Sequence, residues 1–77
     1  MDRFDAIGAF IAVSELNGFA PAARKLGMST SAITRHVAAL EERLGVRLLN
    51  RTTRAVSLTD AGLRFLERSR RIMADLE

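Results

Sequence analysis

The feature that constrains this chain most is a short interruption, Gly27-Met28-Ser29, set between two stretches of helical apolar spacing. On its N-terminal side Ala22, Ala23 and Leu26 form a small apolar stripe behind Pro21, which suits the first helical position, where its missing N–H costs nothing. On its C-terminal side Ser29 is a good N-cap, and Ile33, Val37, Leu40 and Leu44 recur at i, i+4, i+7 and i+11 before Gly45 supplies a stop. The spacing predicts helices over about residues 20–26 and 30–44. A turn this short keeps them in contact.

The rest of the chain can be assigned around that pair. Phe4, Ile7, Phe10, Ile11 and Ser14 follow the i, i+3, i+4 rhythm, and Asn17-Gly18 stops a first helix of about residues 3–16. After Gly45 the period changes. Val46 to Leu49 and Ala55 to Leu58 are rich in strand formers, and Asn50-Arg51-Thr52-Thr53-Arg54 between them is polar and turn-compatible. Thr59 then caps a fourth helix with Asp60 at its positive end, and Leu63, Leu66, Met73 and Leu76 mark an apolar stripe with Phe65 and Ile72 beside it. The expected fold is mainly α, a winged helix-turn-helix of three helices and a two-stranded β wing followed by a C-terminal helix. Residues 1–58 would form the domain and residues 59–77 that helix.

Charge narrows the function. The net charge of +3 is modest, but residues 24–54 hold Arg24, Lys25, Arg35, Arg43, Arg47, Arg51 and Arg54 against only Glu41 and Glu42. A basic excess confined to one contiguous segment is the footprint of a patch facing phosphates. The outward side of the third helix carries Ser31, Thr34, Arg35 and Ala38 early and Glu42 late, so small residues and one arginine stand where a duplex could approach. A helix-turn-helix places its second helix in the major groove in this way.

Other classes fit poorly. A 77-residue chain buries only about 60% of its unfolded surface, which favours a partner subunit. Cysteine is absent, so neither disulfides nor a thiolate metal site can staple the core. No uncharged run is longer than that from Ala6 to Ser14, far short of the roughly 20 apolar residues of a membrane span, and a soluble cytoplasmic, nucleoid-associated protein is expected. His36 is the single histidine; phosphate contact or ordinary packing are its two readings. Ser31 and Thr34 have no base beside them in the sequence to make a nucleophile, so no enzyme, cofactor or metal is expected. The alternative is a winged-helix module whose basic face meets an acidic protein. The lack of Trp and Tyr, which commonly anchor protein interfaces, weighs against it.

Several runs together resemble the LysR-type transcription regulators. They are Ala22-Ala23-Arg24-Lys25-Leu26-Gly27, Ser29, Ser31-Ala32-Ile33-Thr34-Arg35, Leu40-Glu41, Leu44-Gly45-Val46-Arg47-Leu48-Leu49, Arg51 and Leu58-Thr59-Asp60-Ala61-Gly62. The resemblance covers essentially the whole chain, in order. It implies sequence-specific binding of double-stranded DNA, with residues 30–44 in the major groove and a wing of residues 47–58 on the backbone or minor groove. Thr30, Ser31, Thr34 and Arg35 would face the groove, and Arg51, Thr52, Thr53 and Arg54 would serve the wing. It also implies that residues 59–77 are a linker helix that makes a homodimer through Leu63, Leu66, Met73 and Leu76 on an interrupted palindromic operator. A small-molecule effector would act only through a C-terminal domain outside this chain. The chain departs from the family pattern at Ala20, where a capping Ser or Thr is usual, at Thr30, where Gln is frequent, and at Leu49, where Phe is common. Thr30 cannot make the bidentate adenine contact open to Gln, which leaves the base preference open.

Overall fold

The computed structural model describes residues 3–51 and 56–76. The elements run α1 (Arg3–Leu16), α2 (Phe19–Leu26), α3 (Thr30–Leu44), β1 (Leu49–Arg51), β2 (Val56–Leu58) and α4 (Asp60–Asp75). This is a winged helix-turn-helix, as the spacing of apolar residues and turn signals anticipates.

Each of the first three helices ends on a left-handed residue: Asn17 at φ 57°, Gly27 at φ 67° and Gly45 at φ 71°. A side chain at Gly27 would meet no atom within 4 Å, so the restriction there is conformational rather than steric, and glycine adopts this backbone at no cost. The turn closes when the Met28 amide donates to the Ala23 carbonyl at 2.9 Å. Ser29 opens α3, its Oγ accepting from the Ala32 amide at 3.1 Å.

Helix α1 is the centre of the domain, packed against α2, α3 and α4. Its spacing predicts a core face of Phe4, Ile7, Phe10 and Ile11, but the buried residues are Ala6, Ala9, Phe10, Ala12 and Val13. Phe4 is exposed, and Ile7 and Ile11 are only partly buried. The reason is geometric: the small side chains of Ala6, Ala9 and Ala12 let neighbouring helices pack closely on α1, and the bulkier Ile7 and Ile11 are left with partial cover. Ala22 and Ala23 of α2, Ile33, Val37 and Leu40 of α3, Leu48 and Leu49, and Leu66 of α4 complete the core. Phe10 is fully buried, with its ring centroid 5.6 Å from that of Phe65, so truncating it to Ala would cost about 3–5 kcal/mol.

The wing is a two-stranded antiparallel sheet with Leu49 opposite Leu58, Asn50 opposite Ser57 and Arg51 opposite Val56. Pairing begins later than the sequence suggests, because Val46 to Leu48 form no strand and Asn50 and Arg51 do. The amides of Leu48 and Leu49 donate instead to the Glu41 carboxylate, which holds this segment against α3. Ala55, read from sequence as part of the second strand, lies outside the described residues.

Helix α4 starts where the wing ends. Thr59 Oγ1 accepts from the Gly62 amide at 2.9 Å and donates to the Arg47 carbonyl at 2.7 Å, while its amide donates to the Leu48 carbonyl at 3.0 Å. The stripe read as a pairing seam is split by this seating. Leu66 is 5% exposed inside its own core, whereas Leu63 and Leu76 are 50% and 62% exposed and Met73 is half-buried. Burial of Gly62, Leu66 and Ser69 shows which side of the helix rests on the domain.

Candidate nucleic-acid interface

The outward face of α3 is built from its N-cap upward. Ser29 spends its oxygen on the Ala32 amide and lies 3.3 Å from Ser31 Oγ, a contact in which either hydroxyl can donate. One turn on, Thr34 Oγ1 donates to the Thr30 carbonyl at 3.0 Å. That bond uses the one hydroxyl proton of Thr34 and leaves its lone pairs and methyl group for a ligand. Thr30, Ser31, Arg35 and Ala38 are exposed, and the Arg35 side chain bonds to no other described residue. Together Thr30, Ser31, Thr34 and Arg35 form a shallow polar ridge that ends in one guanidinium, able to fork onto a guanine edge or a phosphate.

His36 is buried on the inner side of the same helix, so ordinary packing, not phosphate contact, describes it; its Nδ1 has no hydrogen-bond partner among the described residues.

Arg51 stands in the wing, where its sequence position puts it, at the end of the first strand. Its side chain turns back: Nη2 lies 3.4 Å from Glu41 Oε1, and the guanidinium carbon stands 4.9 Å from the centroid of the Phe19 ring at the head of α2. It therefore joins α2, α3 and the wing. Thr52, Thr53 and Arg54 lie outside the described residues. Arg24, Lys25, Arg43 and Arg47 are exposed around the same unit.

Glu41 is the residue that sequence reasoning missed. In the sequence it counts only as one of two acids set against the basic segment; in the fold it is half-buried and accepts from two main-chain amides and one arginine. A signal existed, since a carboxylate in the last turn of a helix faces the negative end of the dipole and needs compensating donors.

Among the described residues no group of three or more His, Cys, Asp or Glu could hold a metal ion, and no helix is long and apolar enough to cross a membrane.

The family model for "Bacterial regulatory helix-turn-helix protein, lysR family" matches residues 4–63. The chain is 44% identical over 72 residues to the HTH-type transcriptional regulator CrgA of Neisseria meningitidis serogroup C, covering 94% of this chain and 24% of that protein. It is 40% identical over 77 residues to the HTH-type transcriptional activator AaeR of Escherichia coli K12, covering 100% of this chain and 25% of that one. The chain thus spans about a quarter of the length of these regulators. Among solved structures, the CbnR_DBD–DNA complex superposes with a TM-score of 0.90 at 47% identity, covering 96% of this chain and 84% of that one. The BenM_DBD complex with catB site 1 DNA gives 0.92 at 32%, covering 99% and 83%.

Proposed function

This chain belongs to the lysR family of bacterial regulatory helix-turn-helix proteins, and from that membership we propose that it reads double-stranded DNA as the sequence-specific part of a transcription regulator. One observation carries the reading: the exposed face of α3 presents small hydroxyl side chains and a lone arginine beside a capped helix start, with basic side chains around it and no aromatic anchor. Helix α3 enters the major groove with Thr30, Ser31, Thr34 and Arg35 toward base edges, and the wing, with Arg51, Thr52, Thr53 and Arg54, lies along the backbone or minor groove. The role is regulatory rather than catalytic, and it places the protein with the bacterial chromosome. Any small-molecule effector acts through parts of the regulator beyond this chain.

The reading divides the chain at Thr59, with α4 as the helix that pairs with its counterpart in a second copy. Phe65, Ile72 and Leu76 recur at i, i+7 and i+11 and line one flank of α4, and of these Ile72 and Leu76 are exposed. With Leu66 committed to the core, this flank replaces the Leu66–Met73 seam, while Leu63 and Met73 stand at its margins. Two recognition helices held at a fixed separation read an interrupted palindrome.

Selection from a random duplex pool tests both halves. An interrupted palindrome whose binding weakens steeply with salt supports the reading, with a log–log slope of roughly −0.9 per neutralised phosphate. Arg35→Ala should cost about 1–3 kcal/mol at the selected site and less on scrambled DNA. A flat salt dependence with no enriched sequence would favour an acidic protein partner instead.

A further inference from the structure

We propose that Glu41 is a positioning residue for DNA recognition, one that holds the wing root and Arg51 in a single arrangement against the recognition helix. The proposal rests on the DNA-binding reading above. Glu41 stands in the last turn of α3, inside the basic middle segment, where both the helix dipole and neighbouring phosphates disfavour a carboxylate. Its two oxygens are nevertheless both used. Oε2 accepts from the amides of Leu48 at 2.8 Å and Leu49 at 3.2 Å, and Oε1 accepts from Arg51 Nη2 at 3.4 Å. The main-chain carbonyl of the same residue accepts from Gly45 at 2.8 Å and Val46 at 3.3 Å. One residue thus ends the helix with its backbone and receives the wing with its side chain.

Arg51 is consequently held from two sides, by the carboxylate and by the Phe19 ring. A guanidinium has five N–H donors, so one bond to Glu41 leaves others for a phosphate or a base edge. A side chain already fixed between α2 and α3 loses less conformational freedom when DNA binds than a mobile one. The chain continues beyond the wing root, because the Leu48 carbonyl accepts from Thr59 and so ties the start of α4 to the same anchor.

The division of labour between the two oxygens makes the proposal separable. Glu41→Gln can keep its carbonyl oxygen on the Leu48 and Leu49 amides while its NH2 group replaces the oxygen that holds Arg51. Removing an acid near phosphates should, on charge alone, tighten binding to every duplex; loss of positioning weakens it. The experiment measures affinity for the selected duplex at fixed salt in the parent, Glu41→Gln, Arg51→Ala and the double variant, with amide hydrogen exchange at Leu48 and Leu49. The expected results are slow exchange at both amides in Glu41→Gln and binding weakened about tenfold, the order of one charge-assisted hydrogen bond. Arg51→Ala should then add little in that background, since the two act as one unit. Glu41→Ala should speed exchange at both amides. Equal or tighter binding by Glu41→Gln with the amides still protected, additive effects of the two substitutions, or unprotected amides in Glu41→Gln would each overturn the proposal. A parent that binds no duplex overturns the functional reading instead, and the exchange rates, which need no DNA, still test the anchor.

Discussion

The backbone of Gly62 lies so close to the Leu48 carbonyl that a Cβ built on Gly62 would overlap its oxygen and stand 2.9 Å from its carbon. The first turn of α4 therefore rests on the wing root with no side chain between them. Gly62→Ala should lift α4 off this seat and strain the Thr59–Leu48 hydrogen bond of 3.0 Å. The better helix propensity of Ala returns at most about 1 kcal/mol, against roughly 1–3 kcal/mol or more for overpacking onto main chain that cannot give way. Denaturant unfolding should show a net loss of stability. A midpoint equal to or above the parent's would mean that α4 is not seated on Leu48.

Thr34 donates its hydroxyl proton to Thr30, so its methyl group is what it has most freely to offer a thymine. Thr34→Val should bind the preferred site nearly as well as the parent. Thr34→Ser should lose about 0.8 kcal/mol, the worth of one buried methyl group. The opposite order in a titration of the selected duplex, with Ser near the parent and Val weak, would show that the hydroxyl reads the base and would sink the methyl assignment.

Ile72 is 48% exposed on the flank of α4 that carries Leu76. Ile72→Asp should leave the domain folded, because the side chain contributes little to the core, and should disfavour pairing by placing a charge in an apolar seam. Half-site binding should persist while the advantage of a full palindrome collapses. Sedimentation with and without the palindrome checks this, and a variant that keeps the parent's palindrome advantage would remove Ile72 from the seam.

Ser69 is 1% exposed where α4 meets the domain, and its Oγ has no hydrogen-bond partner among the described residues. A buried hydroxyl without a partner carries its desolvation cost uncompensated, so Ser69→Ala should be neutral or stabilise by about 1 kcal/mol. Larger residues should destabilise the contact. Thermal unfolding of the Ala variant decides the matter, and a clear drop in midpoint would show that the hydroxyl is satisfied in solution.

Local chemistry made much of this legible in the residues alone. The caps Ser29 and Thr59, the stops at Asn17-Gly18, Gly27 and Gly45, and the stripe from Ile33 to Leu40 act within a few residues, so α1, α3 and α4 stand where their signals put them. The outward position of Thr30, Ser31 and Arg35 follows from the same helical period. Contacts between distant residues have no such period. That Leu66 turns inward while Ile72 stays out depends on how α4 crosses α1, with Phe65 against Phe10. That pairing begins at Leu49, and that Arg51 folds back over Phe19, depend on a carboxylate eight residues before Leu49 in the chain capturing amides that would otherwise start a strand. A hydrogen bond between such residues forms only once packing has brought them together, so helices could be read from spacing, whereas the wing root and the free face of α4 were settled by the way the helices close on one core.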